Sequence, residues 1–429
     1  MEKFRDLDSD RKQLKTLLSR SFFIFTIIFL IYLIFSYQIV KLMVLDNINY
    51  VSKSDENRII TVPIYSARGL IYDSQENIIT ENIVSHDLVF SGSNLDELET
   101  DLIEIEELIG NGASLWSLEW FADKEKSINF REAILYKGLD QTQIAKFQLE
   151  KSRWSSVKIK PSLKRLVLDE NLYSHVIGYL GPVSREEVIS SYDFKYPLNY
   201  FSGKKGLEKE YESILRGGLG YKSVEIDAYG NEIKEISRKP PQRPENLYLS
   251  INKKLQLIAR KELDGRKGAV IGIEPSTGLV KVLVSSPDFN PNLFNGTSTS
   301  EEITKILKDK DSPLFNRVIS GNYPPASTLK PFIGLLALES GIIDWDYVID
   351  DKGVFQIEGE GRRYRGWKEG GHGEVDLKKA IAVSSDVFFY QLATNLTIDK
   401  LSDFLKKFGF GLVSGIDLDN ESRANLPTR

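Results

Sequence analysis

The feature that most constrains this chain is Ser21 to Val40, a run of 20 residues without a single charge. Its middle reads Phe-Ile-Phe-Thr-Ile-Ile-Phe-Leu-Ile-Tyr-Leu-Ile-Phe. At about 1.5 Å per residue, a helix of that length covers about 30 Å, the thickness of a bilayer's hydrocarbon core. A buried helix of a soluble protein would show polar residues every third or fourth position, and this run has no such stripe. A cleaved signal peptide is the nearer rival. The run is longer than a usual signal core, however, and Lys41-Leu-Met-Val-Leu45 lacks the small residues of a cleavage site. The sequence predicts a short tail over 1–20 and an uncleaved transmembrane anchor over 21–41. Lys3, Arg5, Arg11, Lys12, Lys15 and Arg20 precede the run, whereas Lys41 and Lys53 are the nearest cations after it. Positive charge stays on the cytoplasmic side, so the tail is expected there, with about 390 residues outside the membrane.

Composition removes several kinds of chemistry. The 429 residues are 41% hydrophobic and 27% charged, enough apolar material for a packed core. Lys plus Arg is 56 against 61 for Asp plus Glu, a net charge of -5, which argues against a nucleic-acid partner. There is no cysteine, so disulfides, thiolate metal sites and thiol nucleophiles are excluded. Three histidines, His86, His175 and His372, leave little for a multi-histidine metal site.

Beyond the anchor, Asn47 to Val62 reads as a polar spacer. Pro63 to Asp73 reads as a strand, with a turn at Asp73 to Asn77. Leu95, Leu98, Leu102, Ile105 and Leu108 have helical spacing. Residues 112–165 show no clear period, and Ser184-Arg-Glu-Glu caps a short helix over 182–191. The glycines between 203 and 220 flank a helical Leu207 to Leu215 and do not make a phosphate loop. Lys239-Pro-Pro-Gln-Arg-Pro244 is the clearest boundary, because its prolines continue neither helix nor strand. After it come a strand over 247–251 and a helix over 252–263 with Leu255, Ile258 and Ala259 on one face. Strands over 267–273 and 279–285 follow, joined by the turn Glu274 to Gly278, and then helices over 300–307, 329–340, 376–383 and 397–408. Strands followed by a helical run predict an α+β domain from about residue 246.

The simplest nucleophile–base pattern is Ser-x-x-Lys. At a helix start the two side chains share a face, and a neutral lysine amine can take the serine proton. The pattern occurs 5 times, at Ser9, Ser155, Ser202, Ser250 and Ser327. Ser9 lies in the charged tail, Ser155 and Ser202 in polar or glycine-rich stretches, and Ser250 before a helix with solvated lysines. Ser327 alone follows Gly321-Asn-Tyr-Pro-Pro-Ala326 and precedes the apolar Phe332-Ile-Gly-Leu-Leu-Ala-Leu338. Pro331 is tolerated only near a helix start, which puts Ser327 at about the first turn, where backbone N–H groups and the helix dipole can stabilise an oxyanion. The same pattern also suits an N-cap serine followed by a surface lysine. Ser384-Ser385-Asp386 lies between two apolar stretches, so its polar side chains need buried partners, and Lys330 is a candidate. A helix cap is the plainer alternative for this motif as well.

These segments resemble the class B penicillin-binding proteins. The resemblance rests on Gly272-Ile-Glu-Pro-Ser-Thr-Gly278, Ser286-Pro-Asp-Phe-Asn-Pro-Asn292, Asn316 through Lys330, and Ser384-Ser-Asp386. Tyr364-Arg-Gly-Trp-Lys-Glu-Gly-Gly-His372-Gly, and Asp rather than Asn at 386, are similar to the elongation branch, the penicillin-binding protein 2 type. Arg68-Gly69, His175-Val-Ile-Gly-Tyr179 and Gly206-Leu-Glu-Lys-Glu-Tyr-Glu212 extend the resemblance upstream. It implies an elongated mixed α/β pedestal (dimerisation-type) domain over 42–245 and part of a transpeptidase domain over 246–429. It also implies a single-pass protein of the bacterial inner membrane with its bulk in the periplasm.

The resemblance further implies peptidoglycan D,D-transpeptidation during cell-wall elongation. Ser327 would be the acyl-ester nucleophile, Lys330 the general base, Ser384 the proton relay and Asp386 the orienting group. Stem peptides ending in D-Ala-D-Ala would be the substrates and β-lactams the inhibitors. A polytopic membrane glycosyltransferase and other elongation-complex proteins would be partners. No cofactor is expected. Some relatives hold zinc near the active site; with no cysteine, and Gly366 in the corresponding loop, no metal is expected, and His372 reads as a structural loop residue. The family's third element, Lys-Ser/Thr-Gly, is absent from the sequence. The expectation is a C-terminally truncated catalytic domain, inactive if these residues were the whole protein. A division-type transpeptidase is the same-class alternative, a non-catalytic membrane-anchored scaffold the different-class one, and a serine β-lactamase or sensor is disfavoured by the long pedestal.

Overall fold

The computed structural model describes residues 2–45, 58–90, 95–109, 133–154, 156–184, 186–187, 200–227, 232–357, 359, 361–423 and 425–427. They fall into two compact units, Met1–Tyr65 with Gly218–Gln242, and Ser66–Gly217 with Arg243–Arg429. The architecture is mixed α+β, as the sequence predicts.

In the first unit a helix runs over Glu2–Val40 and continues as a π-helical turn over Lys41–Leu45. Phe22–Met43 is long and apolar enough to cross a membrane, with a mean hydropathy of 2.4 and no part of it buried by protein. Thr26, a hydroxyl within the span, donates to the Phe22 carbonyl at 2.8 Å, so it presents no unsatisfied donor. The unit also holds a three-stranded antiparallel sheet of Ile59–Ile64, Gly220–Ile226 and Glu232–Lys239. The first strand starts earlier than the sequence suggests because Ile59-Ile-Thr-Val62 is β-branched throughout. Pro63 fits because this is an edge strand. The opposite edge, Glu232–Lys239, alternates charge and is laced by Arg238–Glu235 and Lys222–Glu232 pairs, which blunts it as a template for further strands. The expected spacer falls mostly on 46–57, outside the described residues.

Among the described residues, the second unit holds three large hydrophobic cores and a small fourth cluster. One closes an end of the ribbon formed by Thr80–Phe90 and Val157–Val167, with Ala133–Tyr136 on the other side of Thr80–Phe90. Helices Leu95–Ile109 and Gln141–Glu150 cover it, burying Leu88, Ile105, Tyr136, Phe147 and Trp154. Asp140 and Gln143 form a reciprocal capping box on the second helix. Two strands and this helix thus lie where the sequence shows no period.

The next core crosses the proline run. Ile71, Ile79, Tyr173, Ile177, Leu207 and Leu215 pack with Ile251, Leu283 and Leu418. The short strand Leu247–Tyr248 pairs in parallel with Ile71–Tyr72. Inside this region lies a buried ion network. Arg68 Nε donates to Glu208 Oε2 at 2.5 Å and Arg68 Nη2 to Glu212 Oε2 at 2.5 Å, while Arg165 Nε donates to Glu208 Oε1 at 2.8 Å. Burial pushes the Glu208 carboxyl up, but the Arg165 and Arg68 guanidiniums outweigh it and hold the group below its ordinary range.

Towards the C-terminal side, helix Lys253–Leu263 is capped by Asn252 and packs on the antiparallel pair Gly268–Ile273 and Val280–Ser286. Its buried face corrects the expected one: Gln256 and Ala259 point inward, whereas Leu255 and Ile258 are exposed. The cause is polar. Gln256 Nε2 donates to the Leu172 and Leu283 carbonyls, and its Oε1 accepts from Leu283 N at 2.6 Å, fixing the helix rotation. Helices Ser300–Leu307, Lys330–Glu339, Leu377–Ala382 and Ile398–Lys406 follow the sequence expectation closely. The third core joins Ala337, Ile349, Val375, Ala380, Phe388 and Leu392. It also uses helix Asp386–Asn395 and the two small strand pairs Val348–Asp351 with Gly373–Asp376 and Val354–Gln356 with Arg363–Arg365.

Candidate active site

Ser327 lies in a 3₁₀ turn, Ala326–Leu329, immediately before helix Lys330–Glu339. Pro331 occupies the helix's first turn, where its missing N–H costs nothing. Ser327 is exposed and Lys330 is buried, so the turn presents the hydroxyl outward while the amine enters the protein.

Ser384 and its neighbours form the junction between two helices. Ser384 N donates to the Ile381 carbonyl at 3.2 Å and Ser385 N to the Ala380 carbonyl at 2.9 Å, the pairing that closes a helix with a Schellman turn. The left-handed position of that turn usually holds glycine. Here it holds Ser384, at φ 55°. The next residue, Ser385, caps helix Asp386–Asn395 by accepting from Phe388 N, which leaves Asp386 at the positive end of that helix.

The two segments meet in one chain of hydrogen bonds. Ser327 Oγ and Ser384 Oγ are 2.8 Å apart. Lys330 Nζ donates to Ser384 Oγ at 3.0 Å, to the Ser384 carbonyl at 2.9 Å and to Asp386 Oδ1 at 2.7 Å. Asp386 Oδ2 accepts from Trp367 N at 3.2 Å, and the Trp367 indole N–H donates to the Val383 carbonyl at 3.1 Å. The link from Ser327 to Lys330 therefore runs through Ser384. All four residues singled out in the sequence come together.

The other Ser-x-x-Lys serines are placed differently. Ser250 Oγ donates to the Val280 carbonyl, and Lys253 pairs with Asp169. Ser202 is buried. Ser155 and the Ser9 side chain lie outside the described residues.

Sequence reasoning missed Asp351, named Ser385 within its motif without a partner of its own, and left His372 in a loop. Ser385 Oγ donates to Asp351 Oδ2 at 2.7 Å, and His372 Nδ1 lies 2.9 Å from the same oxygen. Burial pushes the Asp351 carboxyl up, but hydrogen bonds from Ser385, His372 and Gly353 outweigh it and keep it below the usual carboxylate range. The available signal was alternation in Val348-Ile-Asp-Asp351, which puts Asp351 on the same buried face as Ile349. Only two of these groups, the Asp351 carboxylate and the His372 imidazole, are of a kind that zinc binds, and a structural zinc takes four such ligands. Gly366 supplies no side chain and Ser385 only a hydroxyl, and no group of three or more His, Asp or Glu side chains that could hold a metal ion occurs among the described residues.

Comparison with known proteins decides the family. Residues 63–249 match the penicillin-binding protein dimerisation domain, and residues 268–429 match the penicillin binding protein transpeptidase domain. The peptidoglycan D,D-transpeptidase MrdA of Salmonella typhimurium is 31% identical over 99% of this chain and 68% of its own length. The chain belongs to the class B penicillin-binding proteins. The MrdA protein of Acinetobacter baumannii is 35% identical over 95% of this chain and 61% of its own length, so the chain spans about three fifths of such class B relatives. Among solved structures, a complex between penicillin-binding protein PBP2 and MreC from Helicobacter pylori aligns with a TM-score of 0.74 and 28% identity. That alignment covers 86% of this chain and 69% of the Helicobacter one.

Proposed function

We propose that this chain carries the nucleophile-bearing part of a peptidoglycan D,D-transpeptidase of cell-wall elongation. The observation that carries the reading is the hydrogen-bonded chain Ser327–Ser384–Lys330–Asp386, with an exposed hydroxyl at one end and a buried amine behind it. Ser327 Oγ attacks the carbonyl of the D-Ala-D-Ala bond. With Nζ in its amine form, the hydroxyl proton passes through Ser384 Oγ to Lys330. The tetrahedral intermediate collapses as Ser384 returns a proton to the departing D-alanine nitrogen, leaving an acyl ester on Ser327. The amine of a neighbouring stem peptide then attacks that ester, forms the cross-link and restores the serine. A β-lactam enters by the same attack, but its opened ring keeps the leaving nitrogen tethered. Asp386 holds Lys330 against Ser384 throughout.

The same reading assigns 1–20 to a cytoplasmic tail, 21–41 to the membrane anchor, 42–245 to the pedestal and 246–429 to part of the transpeptidase domain. The cation excess before the apolar helix supports a cytoplasmic tail and a periplasmic bulk at the bacterial inner membrane. The Helicobacter PBP2–MreC complex supports an elongation-complex protein of the MreC type as a partner, alongside a polytopic glycosyltransferase. The test is labelling of the full-length protein with a fluorescent penicillin. Labelling should be lost in Ser327→Ala and kept in Ser202→Ala and Ser155→Ala. Undiminished labelling of Ser327→Ala would sink the assignment.

A further inference from the structure

We propose that Asp351 and His372 are positioning residues that hold Ser384 and Asp386 in place through Ser385, by hydrogen bonds alone. This rests on the functional reading above, in which Ser384 and Asp386 serve Ser327 and Lys330.

Ser385 is the residue between the relay and the orienting carboxylate, and its side chain is fully buried. Its single hydroxyl works in both directions, donating to Asp351 Oδ2 and accepting from Phe388 N at 3.2 Å. Asp351 ends strand Val348–Asp351, which pairs with Gly373–Asp376, so its carboxylate is fixed by a strand rather than a loop. Three donors converge on it: Ser385 Oγ and His372 Nδ1–H on Oδ2, and Gly353 N at 2.8 Å on Oδ1. His372 is clipped to the same strand by its backbone, its N–H donating to the Asp351 carbonyl at 3.0 Å. Gly371 makes that close approach possible. Its φ is 73°, and a Cβ there would lie 1.9 Å from the Asp351 carbonyl oxygen.

The brace has work to do because Ser384 holds a left-handed backbone conformation that strains a non-glycine residue. Trp367 also restrains Asp386, by its backbone N–H, and its ring lies 5.4 Å from that of His372. Ser384 and Asp386 are thus held between the loop and the strand. Losing the Ser385–Asp351 bond frees the junction to relax, and Ser384 Oγ would leave its 2.8 and 3.0 Å contacts with Ser327 and Lys330. Misplacement of about 1 Å at a reacting group can cost about 100-fold in rate.

The experiment measures acylation of the full-length protein by a fluorescent penicillin, separating the limiting acylation rate from the binding constant. Asp351→Asn, Ser385→Ala and His372→Phe should lower the limiting rate by about 10- to 100-fold while the binding constant stays within about threefold. His372→Asn places an amide N–H where Nδ1–H stood and should recover most of the rate. Ser402→Ala, a buried serine in another helix, should leave it unchanged. Hydrogen exchange at the Phe388 amide, read without any substrate, should quicken about fivefold in Ser385→Ala and Asp351→Asn. Wild-type acylation should be the same with a chelator and with added zinc; loss with chelator and return with zinc would assign the role to a metal and overturn the proposal. So would wild-type rates and exchange in Asp351→Asn and Ser385→Ala. A wild-type protein that is not acylated at all would overturn the functional reading instead, while the exchange measurement would still report on the brace.

Discussion

Mild acid should weaken this fold through one histidine. His175 is buried in the core that crosses the proline run, with its ring edge-on to Phe289. Its Nε2–H donates to the Pro313 carbonyl at 2.8 Å, and its Nδ1 faces Ser174 Oγ at 3.3 Å. Burial drives its pKa from 6.5 down to about 4, although the Pro313 carbonyl and Asp288 favour the charged ring. The unfolded chain therefore takes up the proton first as the pH falls. The contribution is complete above about pH 6.5, is lost through the window down to about pH 4, and changes no further below that. A gap of about 2.5 in pKa, at about 1.4 kcal/mol each, gives about 3 kcal/mol in all, of which about 2 kcal/mol falls between pH 7 and pH 5. Guanidinium unfolding of the chain in detergent at those two pH values should show that loss in the wild type. His175→Gln, which does not titrate, should lack this part of the pH dependence. With three histidines in the chain, an NMR titration can also follow His175 directly. An imidazole midpoint at or above 6.5, or the same pH dependence in His175→Gln, would refute the reasoning.

Two further outcomes follow from the geometry. Glu208→Gln leaves Arg68 and Arg165 buried with one less charge between them, and should cost about 3–5 kcal/mol, read as a fall in melting temperature by calorimetry. An unchanged melting temperature would mean that the network is not buried as described. Ser384→Gly should separate stability from reactivity: glycine suits the left-handed backbone, so stability should hold or rise by up to about 1 kcal/mol, while penicillin acylation falls by about 100-fold or more with the relay hydroxyl gone. Normal acylation in that variant would exclude Ser384 from the proton path.

How far the sequence could be read depended on the range of the interaction. The long apolar helix was legible because hydropathy over 22 contiguous residues is local information. Ser327 and Lys330 were legible because a proline-defined turn ahead of an apolar helix sets their spacing without any distant contact. The α+β class and most helices of the later half came through for the same reason. Asp351 did not, since its role depends on Ser385 and His372, which arrive 34 and 21 residues later. The face of helix Lys253–Leu263 was misread because hydropathy ranks Leu255 and Ile258 above Gln256, yet Gln256 satisfies three backbone bonds in the interior. The Arg68–Glu208 pair spans 140 residues, beyond the reach of any local pattern.

That long reach has a consequence for how the molecule comes into being. Ile71 shares a core with Leu215, Leu283 and Leu418. At about 10 residues per second, roughly half a minute of synthesis separates the first of these side chains from the last. Through that interval the early partners have no complete core to enter, and bringing them together requires closing loops of hundreds of residues, a fold of high contact order. Among the described residues, the ribbon end around Phe147 and Trp154 draws on side chains from Leu88 to Ile159, so it can condense early. Ser327 and Lys330 sit among segments that must wait. The chain should pass through a stage in which one end is structured and the nucleophile is not yet assembled.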